Sequence, residues 1–212
     1  MQRKQRLWLG LILAVMLMLG PLGTLVAYAD EPDSVQSALA YLRSQQADDG
    51  SFGGSVGSSI EAVLAGAAAG QDVSAWRTGA SQPSVMDYLA TNARSYAQDA
   101  STTGKLLAAV AAAGQDPTAY GGLDLVEQLL SFQQDSGALA ATALGQAWAM
   151  LGLMGARQTL PTSAVADLVG LQQDDGGWEG GPGWGTDSNT TALVLQTLLA
   201  AGTPRDAAAI AK

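Results

Sequence analysis

The stretch LQQDDGGWEGGPGWGTDSNTTALVLQTLLAAG, residues 171–202, has the composition of an active-site loop, because it combines paired carboxylates, two tryptophans and an Asp-Ser-Asn-Thr run before an apolar segment. Its opening, however, recurs along the chain. Similar segments are YLRSQQADDGSF (41–52), YLATNARSY (88–96), LLSFQQDSGAL (129–139) and LVGLQQDDGGW (168–178). Most of the stretch is therefore interpreted as one copy of a repeated scaffold.

A second landmark follows each of these segments. AAAGQD occurs at 67–72 and again at 111–116, 44 positions later, with looser copies around Gly155 and Gly202. Spacings of 41 to 47 residues indicate a repeat architecture, in which each unit stacks on its neighbours to bury its apolar face.

Each repeat is predicted to contain two helices. The first is amphipathic, since Val35, Leu39 and Leu42 fall at i, i+4 and i+7. The second is apolar nearly all round, as in KLLAAVAAAG (105–114), and such a helix belongs inside a larger structure. The pattern predicts an all-α array of about four αα-hairpins, with the second helices forming an inner layer. Left-handed C-caps are expected at Gly70, Gly114, Gly155 and Gly202.

The N-terminus is typical of an export signal. Basic residues at 3, 4 and 6 precede an apolar run at 7–19, and Ala27-Tyr28-Ala29 supplies small residues at the positions that a signal peptidase reads. We expect residues 1–29 to be a signal peptide and residues 30–212 to be the exported domain, extracellular or at the cell surface. The alternative is an uncleaved anchor formed by residues 7–26.

Composition excludes several classes of function. Removing residues 1–29 takes away three of the ten basic residues and none of the nineteen acidic ones, so the net charge changes from −9 to −12, which disfavours nucleic acid as a partner. The chain has no cysteine and no histidine. Disulfides, His-dependent zinc sites and Ser-His or Cys-His nucleophiles are therefore excluded.

The recurring segment resembles a known motif. Leu168, Gln172 or Gln173, Gly176 and Trp178 are similar to the QW motif of squalene–hopene cyclases and other class II terpene cyclases. Weaker copies start at Gln46 and at Gln133; the former has Phe in place of Trp, and the latter lacks the aromatic residue. The resemblance covers residues 34–212 and implies an α/α toroid, a partial α6/α6-type barrel.

The resemblance also implies a structural role for the motif, in which the Gln amide bridges backbone groups at the end of one helix and the start of the next. Such a bridge satisfies helix-terminal groups that have no partner within the helix. The residues given this role are Gln46, Gly50, Phe52, Gln133, Gln173, Gly176 and Trp178. Asp174-Asp175 is interpreted as part of the scaffold, because the alternating acidic pattern of a calcium loop is absent.

The segment EGGPGWGTDSN (179–189) is longer than the motif needs, and two interpretations of it remain open. In one, Asp187 or Asn189 caps the next helix and Trp184 covers a ring edge. In the other, these residues contact a ligand at the mouth of the ring, where helix N-termini converge. The candidate ligand-binding residues are Trp178, Trp184, Asp187 and Asn189.

The catalytic residues of the related enzymes are not found in this sequence. There is no D-x-D-D motif as in hopene-type cyclases, no Cys and His for the zinc of prenyltransferases, and no Cys-Gln pair as in thioester domains. We therefore predict no catalytic residues, no metal and no cofactor. The resemblance then favours non-catalytic relatives such as the cobalamin carriers transcobalamin and intrinsic factor.

The leading hypothesis is an exported, non-catalytic toroid module that binds a small apolar or cobalamin-like ligand, or a protein partner. The alternatives are a terpene cyclase-like or prenyltransferase-like enzyme whose catalytic Asp motif lies outside this chain, and a structural surface repeat. The pattern gives four hairpins, whereas toroids of this family have five to seven. We therefore expect either that the domain is incomplete at its C-terminus or that another chain covers its open end.

Overall fold

A computed structural model describes residues 32–211, and the predicted signal peptide lies outside them. The chain divides into two compact units, the first ending at Ala40 and the second running from Tyr41 to Lys212. In the first unit, the described residues belong to one helix; the second holds all the other elements. The prediction of an all-α protein is confirmed: helix predominates, and residues 32–211 form only isolated β-bridges and no strand.

The described residues contain nine α-helices and two short 3-10 turns. The helices are α1 (Pro32–Ser44), α2 (Val56–Ala68), α3 (Val85–Tyr96), α4 (Ala100–Ala112), α5 (Leu125–Leu130), α6 (Ala143–Gly155), α7 (Ala164–Gly170), α8 (Ser188–Ala200) and α9 (Ala208–Ala211). The 3-10 turns are Val73–Ala75 and Pro117–Ala119.

Helices α2, α4, α6 and α8 form what we call the central row. Each has thirteen residues, and each contacts the next one in the series. The helices between them in sequence pack against this row: α3 on α2 and α4, α5 on α4, and α7 on α6. These four long helices contain the four apolar segments that the sequence predicts to be helical.

The closest approach within the row is between α4 and α6. A β-carbon added to Gly104 would lie 2.5 Å from the carbonyl oxygen of Trp148, and one added to Gly152 would lie 2.5 Å from the carbonyl oxygen of Gly104. Ala109 and Ala149 are fully buried. The two helices therefore pack backbone against backbone, which requires glycine at both contact points.

The four helices of the row begin in the same way. A side chain just before each helix accepts a hydrogen bond from the backbone N–H of the third helical residue, which satisfies one of the N–H groups left without an intrahelical partner. The capping residues are Ser55, Asp99, Thr142 and Asp187.

The C-terminal ends agree with prediction at three of four positions. Gly70, Gly114 and Gly202 have φ of 72°, 67° and 87°, in the left-handed region. The prediction for Gly155 is wrong, because α6 keeps the same thirteen-residue length and Gly155 is its last helical residue. The left-handed position falls two residues later, on Arg157, with φ of 58°.

Gly104→Ala should destabilise the protein by about 1–3 kcal/mol, because the new methyl group would have to displace the backbone of α6. Gly57→Ala is the matched control, since its β-carbon would lie 3.9 Å from the Tyr96 hydroxyl and replacing a helical glycine otherwise stabilises by about 0.5–1 kcal/mol. Urea unfolding of both variants measures the difference. Equal stability of the two variants would contradict the close backbone contact.

Candidate functional site

A turn beginning with glutamine occurs three times, at residues 46–52, 133–139 and 172–178. In each copy the Gln side-chain Nε2 donates to the carbonyl oxygen of a glycine four residues later, at 3.1, 2.9 and 2.8 Å respectively. These glycines have φ of 88°, 94° and 89°, a conformation that side chains with a β-carbon rarely adopt. The three pairs are Gln46 with Gly50, Gln133 with Gly137, and Gln172 with Gly176.

Two of these glutamines also reach a distant backbone group. Gln46 Nε2 lies 2.9 Å from the carbonyl oxygen of Trp76, and Gln172 Nε2 lies 2.9 Å from that of Ala209 in α9. At the middle turn, residues 133–139, the long-range bond comes from Gln146 of α6, whose Nε2 donates to the carbonyl oxygen of Ala164 at the start of α7. One amide thus joins a turn to a segment 18 to 37 residues away.

The bridging residue of the last turn is Gln172 and not Gln173, which corrects the choice of Gln173 for this role. The Nε2 of Gln173 instead lies 3.1 Å from the carbonyl oxygen of Leu171 and 3.5 Å from a carboxylate oxygen of Glu179. Gln172 is four residues before its glycine, the same spacing as in the other two turns.

Two acidic residues of these turns, Asp49 and Asp175, accept hydrogen bonds from nearby backbone N–H groups. Asp49 Oδ1 accepts the N–H of Ser51, and the side-chain and backbone hydrogen bonds from Ser51 lower the pKa of Asp49. Asp175 Oδ1 accepts the N–H of Gly177 and the hydroxyl of Thr186. Within residues 32–211, acidic side chains nowhere gather in a group of three that could hold a metal ion.

The last residue of each turn is buried in the core: Phe52, Leu139 and Trp178 are 3%, 1% and 0% exposed. The indole N–H of Trp178 donates to the carbonyl oxygen of Leu168 at 2.9 Å. Trp178 therefore contributes to packing and does not line any cavity of the site described below.

The backbone N–H of each of these residues donates to the fourth residue of the central-row helix that follows. The acceptors are Ser59, Gln146 and Thr191, at 2.9, 2.9 and 3.0 Å. The fourth residue of α4 is Thr103, which is fully buried and whose hydroxyl has no hydrogen-bond partner in the described part of the chain. Its helix follows α3, which runs on to Tyr96 without a turn of this type, so the N–H that the hydroxyl would accept is absent.

The central row lines an open cleft of about 980 Å³. Its wall includes the sixth residue of each helix in the row, namely Glu61, Lys105, Trp148 and Leu193. The loop before α8 closes one side with Trp184 and Asp187, and Asn189 lines the same side from the first turn of α8. An adjoining hollow of about 750 Å³ shares Glu61, Trp148 and Leu193 and is lined by the ninth residues, Leu64, Ala108, Leu151 and Gln196.

The single ammonium group of this wall is paired. Lys105 Nζ lies 2.5 Å from a carboxylate oxygen of Glu61 and 5.1 Å from the centroid of the Trp148 ring. The contacts link α2, α4 and α6, and the aromatic face adds a cation–π attraction to the ion pair. Because the Glu61 side chain is 59% exposed, solvent screens this pair and its contribution to stability is small.

Trp184 stands at the tip of a braced loop and is 83% exposed. Glu179 accepts the N–H of Gly183, and the N–H of Trp184 donates to the carbonyl oxygen of Gly181. Asp187 closes the loop, since its N–H donates to the carbonyl oxygen of Trp178. The loop therefore presents the indole at a defined place beside the cleft.

Asp187 has the capping role that one interpretation of the sequence gave it. Its Oδ2 accepts the N–H and the hydroxyl of Thr190, and these hydrogen bonds lower the pKa of Asp187. Asn189 is the second residue of α8 and is exposed.

The structure thus brings three of the four candidate ligand residues to the cleft, Trp184, Asp187 and Asn189, and places Trp178 elsewhere. The sequence analysis did not identify Glu61, Lys105 and Trp148 as residues of the cleft. The shared sixth position in each helix is the signal that would have identified all three.

Comparison with protein-family models, with curated proteins and with solved structures finds no match for this chain. Among the helices of the described residues, none is both long enough and apolar enough to cross a membrane.

Thr103→Val should raise the free energy of unfolding by about 1 kcal/mol, because it replaces a buried hydroxyl that lacks a partner with a methyl group of similar size. Thr197→Val is the matched control. Thr197 is also fully buried, but its hydroxyl donates to the carbonyl oxygen of Leu193, so this change should be neutral or destabilising. Chemical unfolding compares the two; a loss of stability in Thr103→Val would show that the hydroxyl has a partner.

Asp187→Ala should destabilise the protein at pH 7, and the difference from wild type should shrink as the pH falls below about 4. The folded-state pKa of Asp187 is lowered, so its stabilising effect is present above the unfolded-state pKa and is lost on protonation. Asp187→Asn retains a capping side chain without titrating. Thermal midpoints measured from pH 2.5 to 7 test this. A wild type-to-Ala difference that does not change with pH would rule out the ionised cap.

Proposed function

We propose that this protein is a non-catalytic binding module, exported to the cell surface or the extracellular space, whose ligand occupies the cleft of the central row. The observation that carries the proposal is the cleft itself, in which Trp148 and the exposed Trp184 line one concave space of about 980 Å³. Ligand sites in proteins are typically concave and mostly apolar, and hold a few well-placed polar groups.

We further propose that the central row is the inner wall of an α/α toroid. Two observations support this. Helices α2 and α8 are at opposite ends of the row, yet Glu61 of α2 and Leu193 of α8 line the same cleft, so the row bends around it. The glutamine turns join segments that precede and follow a central-row helix, as the resemblance to QW-type repeats implies.

The charges in the cleft favour binding over catalysis. Glu61 is paired with Lys105, and Asp187 caps α8 with a pKa that its hydrogen bonds lower. A general acid that acts near neutral pH needs a raised carboxyl pKa, which is the opposite shift. The cleft volume of about 980 Å³ is suited to a small molecule.

The test is thermal unfolding of the purified chain with cobalamin, a polyprenyl alcohol, a triterpene and neutral oligosaccharides. A compound at about 100 times its Kd adds roughly 2.7 kcal/mol and should raise the midpoint by several degrees. Trp184→Ala and Trp148→Ala should each reduce this shift.

Tyr41→Ala is the control, since Tyr41 is 68% exposed and lies outside the cleft wall. A cooperative transition that no compound moves would contradict small-ligand binding and favour a structural surface role or a protein partner.

A further inference from the structure

We infer that the ligand of the cleft is a neutral oligosaccharide. This inference rests on the proposed function, since it names the chemical class that the same cleft would bind. It is carried by the presence, in one open cleft, of two indole rings and a set of hydrogen-bonding groups with little net charge.

The indoles provide the stacking surface. A pyranose ring has a face of C–H groups, which packs on a flat aromatic ring while its hydroxyls point outward. Trp184 is suited to this contact, because one side of its ring lies against Gly181, where a β-carbon would be 3.2 Å from the indole, while 83% of the residue is exposed. A large apolar side chain held exposed by a hydrogen-bonded loop indicates a contact surface.

The polar groups around the indoles favour sugar over lipid. Ser188, with its hydroxyl, and Asn189, with its amide, line the cleft beside Trp184 and are exposed. An apolar ligand would remove these groups from water without supplying hydrogen-bond partners, which is unfavourable for each group covered. Sugar hydroxyls both donate and accept hydrogen bonds and would satisfy them.

The charges exclude an acidic sugar. The wall contains two carboxylates, Glu61 and Asp187, and one ammonium group, Lys105, which Glu61 already neutralises. The whole chain has a net charge of −9. A carboxylated or sulfated glycan would be repelled by the wall and by the overall field of the protein, whereas a neutral glycan would not.

The experiment measures binding of defined hexasaccharides by isothermal titration calorimetry and tryptophan fluorescence. The neutral probes are cellohexaose, maltohexaose, xylohexaose, mannohexaose and N-acetylchitohexaose; hexagalacturonate is the anionic probe. We expect at least one neutral probe to bind and hexagalacturonate not to bind. Trp184→Ala and Trp148→Ala should each weaken binding about tenfold, the effect of losing one aromatic stacking contact. Trp184→Phe should retain part of the affinity, and Tyr41→Ala should retain all of it.

Three results would overturn the inference: binding of hexagalacturonate alone, sugar binding that neither tryptophan variant weakens, or no sugar binding. In the last case, cobalamin and a polyprenyl alcohol separate this inference from the proposed function. If either binds and Trp148→Ala weakens it, the cleft is a ligand site for another chemical class. If no compound binds, the proposed small-ligand function fails as well. Circular dichroism of each variant verifies that it is folded.

Discussion

Helices α4 and α6 approach until backbone atoms of Gly104 and Gly152 are in contact, and the arrangement of the central row depends on that distance. Close packing of this kind replaces bulky side chains by many short dispersion contacts along the helices. It also brings equivalent positions of neighbouring helices side by side. Lys105 can therefore contact Glu61 on one neighbour and Trp148 on the other, so the wall of the cleft follows directly from the spacing of the helices.

Hydrogen bonds at the helix ends connect the row to the rest of the chain. The sequence contains no cysteine, so no disulfide joins its turns to distant segments. Amides of Gln46, Gln146 and Gln172 make these connections instead, each donating to a carbonyl that lies 18 to 37 residues away. The equivalent residue of α4, Thr103, follows a segment without a glutamine turn, and its buried hydroxyl has no hydrogen-bond partner among the described residues. The side-chain acceptor at this position is therefore satisfied only where a glutamine turn precedes the helix.

The helices could be predicted, because apolar segments about 44 residues apart carry their own helical signal, as the four helices of the central row confirm. Local ambiguities were harder. Gln172 and Gln173 are chemically identical neighbours, and only the spacing to Gly176 separates them. Arg157 occupies a left-handed position that composition assigns to glycine. At the site, the composition of the loop indicated Trp184. The pairing of Lys105 with Glu61 depends on how two neighbouring helices are aligned along their axes, and the sequence of one helix alone does not determine that alignment.

The central row also separates the residues that hold the fold from those that face the cleft. The sixth positions are Glu, Lys, Trp and Leu, and the ninth are Leu, Ala, Leu and Gln, whereas most of the fully buried positions of these helices hold small or apolar residues. Substitutions at the cleft-facing positions therefore change the lining of the cleft and leave the fully buried side chains of the row unchanged. Each helix of the row thus contributes its own residues to the cleft lining, so the chemistry of that lining can be varied one helix at a time on the same buried framework.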